Sequence, residues 1–88
     1  MPPVSQTIRV NLLFFGLIKE LLGRAQDSIE IADSSSIEDL FQQVAARNPE
    51  LQKFRSSVVA SRNQEFASWN TPIRAGDEVA FLPPVSGG

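Results

Sequence analysis

One stretch restricts the fold more than any other. Between Ser36 and Pro49, the residues Ile37, Leu40, Phe41, Val44 and Ala45 recur at i, i+3, i+4, i+7 and i+8, a single apolar stripe on one face of an α-helix. Residues 33–36 read DSSS. There Ser36, or Ser35 with Glu38 three residues on, can accept the unpaired backbone N–H groups of the first turn, while Glu38 and Asp39 suit the positive end of the helix dipole. Asn48-Pro49 ends the helix, because the residue before a proline is pushed out of helical geometry. Such a helix must bury its stripe against other elements, and the rest of the chain reads mainly as strands.

Thr7 to Phe15 (TIRVNLLFF) sets Ile8, Val10, Leu12 and Phe14 against Thr7, Arg9 and Asn11, the period of a half-buried strand. Leu13 and Phe15 break the alternation, so this strand ends apolar on both faces. Gly16 releases the chain into LIKELLG, where Leu17, Ile18, Leu21 and Leu22 follow helical spacing and Gly23 stands at the C-terminal cap, a short helix. Asp27 to Ile31 alternates again and pairs antiparallel with the first strand. Beyond the long helix, Leu51 and Phe54 anchor a return loop, Val58 to Arg62 is a third strand, Asn63-Gln64 a turn, and Glu65 to Ala67 a fourth strand. Thr71-Pro72-Ile73 and Ala75-Gly76-Asp77 mark turns. Glu78 to Leu82 is the last strand, with Val79 and Phe81 on one face and Ala80 and Leu82 on the other. The expected class is α+β, a mixed sheet of about five strands with one long helix and a short helix.

Composition removes most site chemistry. The 88 residues allow one domain, residues 1–82 with 1–6 as a flexible lead, followed by an extended tail over 83–88. A chain this short buries only about 60–65% of its unfolded surface, too little for a deep, walled cleft. It has no Cys and no His, hence no thiolate, imidazole or soft metal ligand, and no metal site is expected. Eight Lys and Arg against ten Asp and Glu give a net charge of −2, without the basic excess that argues for nucleic acid. No apolar run approaches the ~20 residues of a membrane span, and Met1-Pro2-Pro3 does not open a signal peptide, so a cytoplasmic protein without membrane contact is expected.

The last six residues, Pro83-Pro84-Val85-Ser86-Gly87-Gly88, cannot extend the sheet. Pro83 and Pro84 lack an N–H and hold φ near −65°, stiffening the exit, whereas Gly87 and Gly88 are the least restricted residues available. Fully extended, the tail reaches about 20 Å at ~3.3 Å per residue, enough to enter a pocket on another protein. A terminal glycine is also the slimmest carrier of a carboxylate. To react, that carboxylate must become an acyl adenylate, after which a sulfur donor gives a thiocarboxylate or an amine gives an amide. No phosphate-binding loop lies in this chain, so a separate enzyme must activate it. Gly-Gly taken alone reads as a frayed end; its place after a strand and a Pro-Pro pair, on a domain without other reactive groups, favours the chemical role.

These residues resemble the small subunit of molybdopterin synthase, the MoaD-type sulfur carrier, a ubiquitin-like β-grasp family. Gly76 to Gly88 (GDEVAFLPPVSGG) is close to the family's ending and Leu12 to Gly23 (LLFFGLIKELLG) to its first strand and helix, with Asn63-Gln64, Pro72 and the capped helix at Ser36 in register. The Pro-Pro form of the ending distinguishes it from thiazole-pathway sulfur carriers. Leu82 departs from the Phe common in relatives, and Met1 to Gln6 has no assigned counterpart.

The resemblance implies that Gly88 is adenylated by an E1-like (MoeB-type) enzyme that consumes ATP, then converted to a thiocarboxylate by a sulfur donor protein. No permanently bound cofactor is implied. The tail, Pro83 to Gly88, would enter the large synthase subunit (MoaE-type) and deliver sulfur to precursor Z (cyclic pyranopterin monophosphate), in a heterotetramer where the large subunit supplies most catalytic groups. The family's partner-facing surface maps onto Phe15, Lys19, Phe66 and Leu82. Read from the residues alone, Phe15 and Leu82 fit either an interface or a small second core under the LIKELLG helix, and Lys19 fits a solvated helix charge equally well. A ubiquitin-like modifier of target lysines, a thiazole-pathway carrier and an inert interaction module are the alternatives.

Overall fold

The computed structural model describes residues 6–83. The elements run β1 (Thr7–Phe14), α1 (Gly16–Leu22), β2 (Gln26–Ala32), α2 (Ile37–Arg47), a 3-10 segment (Pro49–Ser57), β3 (Val59–Arg62), β4 (Glu65–Ala67) and β5 (Glu78–Leu82). The strands form one five-stranded sheet in the order β2-β1-β5-β3-β4. β1 and β5 lie parallel at its centre, and every other neighbouring pair is antiparallel. The mixed sheet, the long helix and the short helix expected from the sequence are all present.

The period-2 and period-3.6 patterns meet in one core. Val10, Leu12 and Phe14 of β1 and Val79 and Phe81 of β5 are buried together with the whole stripe of α2 and with Ile18 and Leu22 of α1. Each fully buried large side chain contributes about 1.5–3 kcal/mol. At its centre Phe41 meets Trp69 and Phe81 edge to face, with ring centroids 5.3 Å apart in both cases.

Several local expectations need correction. Phe15 is not a strand residue but the N-cap of α1, because Gly16 adopts φ +54° and turns the chain out of β1 at that point. Of the two caps open to α2, the helix uses Ser36, with Asp39 completing the box, and the pairing of Ser35 with Glu38 does not form. The Ser36 hydroxyl accepts from the Asp39 N–H at 3.1 Å and the Asp39 carboxylate accepts from the Ser36 N–H at 2.9 Å. Ser35 cannot serve as cap, since its carbonyl is committed to the Ile73 N–H at 2.9 Å. The return after α2 is a 3-10 segment that buries Leu51 completely, with Phe54 packed on the core. Asn63-Gln64 is the expected turn, with both residues left-handed at φ 53° and 73°.

Glu38 is free to do something else. Its carboxylate takes a forked contact from Arg55, including Nε at 3.1 and 3.2 Å, and a bond from Gln42 at 2.8 Å. The Arg55 guanidinium lies 3.5 Å above the Trp69 ring, so this one side chain ties the 3-10 segment to α2 and to the aromatic cluster. Hydrogen bonding to Arg55, then to Gln42, holds the Glu38 carboxyl below the usual carboxylate range. The folded form therefore keeps the proton off longer than the unfolded chain does. The stabilisation is present at neutral pH and is lost as pH falls from the ordinary carboxylate value down through the lowered one. Thermal melts should show Glu38→Gln less stable than the parent at neutral pH, with the gap closing in acid; a gap independent of pH would contradict this.

Candidate functional site

Because β1 and β5 are parallel, both deliver the chain to the same end of the sheet. Their last pair is Phe14 with Phe81, so the residues leaving β1 (Phe15, Gly16) lie beside those leaving β5 (Leu82, Pro83). The approach is close. A Cβ added to Gly16 would stand 2.8 Å from Cγ of Pro83, and Gly16 is also left-handed. This glycine is therefore required twice, for its backbone angle and for the space that Pro83 fills. Pro83 is the last described residue of the tail; Pro84, Val85, Ser86, Gly87 and Gly88 lie outside the described residues.

The sheet face turned away from α2 continues this end as an apolar surface. Register aligns Leu13 with Ala80, Ala80 with Ser61, and Ser61 with Phe66, and paired residues share a face. In the next row Leu82 faces Val59. Phe66 is 81% exposed, while Phe15 and Val59 are each 43% exposed, and Leu82 is half-buried. Large apolar side chains gathered this way on one open face have the composition of an interface core.

Register puts Phe66 and Leu82 on this face, with Pro83 following Leu82 out of β5, while Phe15 stands exposed at the end of β1 as the N-cap of α1. Lys19 is exposed on α1, its N–H bonded to the Phe15 carbonyl at 3.3 Å. The small second core considered for Phe15 and Leu82 does not form, since α1 turns Ile18 and Leu22 into the main core and leaves Phe15 exposed. Val59 and Gly16 also belong to this site, although no sequence motif marks them as site residues. Val59 is recognised only through its pairing with Leu82. Nothing local to Gly16 signals that a proline some sixty-seven positions later will lie against it.

A stability test follows from this packing. Gly16→Val combines a β-branched side chain at positive φ with a clash against Pro83, and should lower stability by roughly 1–3 kcal/mol. Chemical denaturation measures it; a loss below experimental error would mean that the turn adapts freely.

Comparison with known proteins agrees with this architecture. The ThiS family model matches residues 12–88. The molybdopterin synthase sulfur carrier subunit of Escherichia coli (strain K12) is 39% identical over 82 residues, covering 90% of this chain and 99% of that protein. A chain in the protein-protein complex of subunits 1 and 2 of molybdopterin-converting factor from Helicobacter pylori 26695 superposes with a TM-score of 0.61 at 27% identity, covering 92% of this chain and 100% of that one. The Caldiarchaeum subterraneum ubiquitin shares the fold with a TM-score of 0.63 at 12% identity, covering 94% and 100%. The fold is thus the ubiquitin-like β-grasp, and the chain belongs to the ThiS family, alongside the molybdopterin synthase sulfur carrier subunits.

Proposed function

We propose that this protein is the sulfur carrier subunit of a molybdopterin synthase, acting in the cytoplasm with its own C-terminus as the reactive group. The observation that carries this reading is the match to the Escherichia coli carrier subunit at 39% identity across nearly the full length of both chains. The geometry supports it, since β5 brings Pro83 out at the edge of an open apolar face.

The chemistry runs in three steps. The Gly88 carboxylate oxygen attacks the α-phosphorus of ATP on an E1-like activating enzyme, forming the acyl adenylate and releasing pyrophosphate. Sulfide-level sulfur supplied by a donor protein attacks the acyl carbon, expels AMP and leaves a thiocarboxylate. Inside the large synthase subunit, that sulfur passes to precursor Z (cyclic pyranopterin monophosphate) and Gly88 returns to a carboxylate, two carriers supplying the two sulfurs of the dithiolene. The isolated small chain is not catalytic on this scheme; the partners supply the groups that it lacks. No helix among the described residues is long and apolar enough to cross a membrane.

Mass spectrometry of the intact protein purified from its own cells tests the proposal. Exchange of one oxygen for sulfur at Gly88 supports the carrier. Covalent attachment to lysines of other proteins would point to a modifier instead, and a terminus unaltered under all conditions would leave only an interaction module.

A further inference from the structure

A second surface lies at the far edge of the sheet. β2 pairs only with β1 and forms an edge seven residues long, whereas β4, the opposite edge, has three residues. The Phe14 N–H donates to the Ala25 carbonyl at 2.8 Å, which sets the phase of the antiparallel ladder and turns the backbone of Ser28, Glu30 and Ala32 outward. Two of these groups are engaged. The Ala32 carbonyl accepts from the Ser35 N–H at 3.1 Å, and the Ser28 N–H donates to the Asp27 carboxylate at 2.7 Å. The Ser28 carbonyl, both backbone groups of Glu30 and the Ala32 N–H have no partner among the described residues.

Beside this edge runs a cavity of about 400 Å³ between β2 and the last turns of α2. Ile29 and Val44 line it together with three cations, Arg9, Arg24 and Arg47. Arg24 pairs with Asp27 at 2.9 Å and Arg9 with Glu30 at 3.4 Å; both pairs are solvent-exposed and cheaply exchanged. Arg47 has no ion pair among the described residues. Asp27 and Glu30 also line the groove, so on a chain of net charge −2 its excess of positive charge rests on Arg47, next to unpaired strand groups.

We propose that the free edge of β2 and the cationic groove beside it bind an extended acidic peptide segment of a partner protein by strand addition. The unpaired backbone groups match another extended backbone. Apolar side chains of the peptide would reach Ile29 and Val44, and carboxylates flanking them would meet Arg47 and Arg24. Two copies of this chain are a poorer fit, because antiparallel pairing centred on Glu30 sets like charges directly opposite one another. β5, where the tail begins, lies two strands away, so the groove and the tail can be engaged at once.

The test uses the full chain, isotope-labelled for NMR, titrated with the blocked peptide Asp-Asp-Val-Thr-Ile-Thr-Val-Asp-Asp. Amide shifts along β2 and the end of α2, with slowed exchange of the Glu30 N–H, are expected. Arg24→Ala with Arg47→Ala should weaken binding roughly tenfold or more. Glu30→Pro removes the outward N–H, leaves Arg24 and Arg47 in place and frees Arg9 from its ion pair; it should weaken binding in spite of the added positive charge. Shifts confined to the Phe66 face, equal binding of a peptide with Lys in place of Asp, or dimers of the free chain through β2 in sedimentation would each overturn the proposal.

Discussion

Deleting Gly88, or adding one residue after it, is expected to abolish sulfur transfer in a reconstituted synthase while the isolated protein melts as before. The reactive atom is the terminal carboxylate carbon, so an added residue moves it and puts a side chain or an extra peptide unit where AMP and then sulfur must bind. Loss of one residue draws the carboxylate back by about 3.3 Å. A misplacement of even ~1 Å can cost on the order of a hundredfold in rate. Stability should be untouched, because the buried core ends with Phe81 and the last core-packed strand residue precedes the tail. Two assays check this, thiocarboxylate formation by mass spectrometry and product formation with the large subunit. Full activity in either variant would end the tail mechanism.

Phe66→Ala should weaken association with the large subunit by roughly 2–4 kcal/mol, the range of an aromatic anchor at the centre of an interface. The effect on the free protein should be small. Phe66 is 81% exposed, and surface substitutions of this kind usually change stability by less than about 0.5 kcal/mol. Titration calorimetry and thermal melts on the same preparations separate the two quantities. Unchanged affinity would remove Phe66 from the interface, and a fall in melting temperature equal to the affinity loss would make it a packing residue.

Much of this architecture is legible in the chain. The stripe Ile37, Leu40, Phe41, Val44 and Ala45 is buried to the last residue, because helical periodicity depends on neighbours within two turns. The alternation in β1 and β5 likewise sends Val10, Leu12, Phe14, Val79 and Phe81 inward. Caps depend on more than local sequence. Ser35 and Ser36 both offer a hydroxyl, and the choice between them depends on Ile73, which claims the Ser35 carbonyl from a distant turn. Glu38 stands in the first turn of α2, as its place in the chain dictates, but its carboxylate is also held by Arg55, a partner seventeen residues away that local reading does not reveal.

The site divides along the same line. That the chain lacks thiol and imidazole and ends in Pro-Pro-Val-Ser-Gly-Gly follows from reading it, and with it the expectation of a reactive C-terminus. Only the family resemblance joins Phe15, Phe66 and Leu82 in the sequence; read from the residues alone, Phe15 and Leu82 fit a core as well as a surface. The face that Phe66 and Leu82 share, with Phe15 at the end of β1, depends on β1 and β5 lying parallel with Phe14 opposite Phe81, and on β3 and β4 following in register. The seat of Pro83 against Gly16 and the open edge of β2 belong to that same order of strands. Periodicity and capping act over a few residues, so the sequence by itself determined which elements form and what chemistry the end can carry. Strand order and register couple residues far apart in the chain, and only the tertiary structure decided which of them meet.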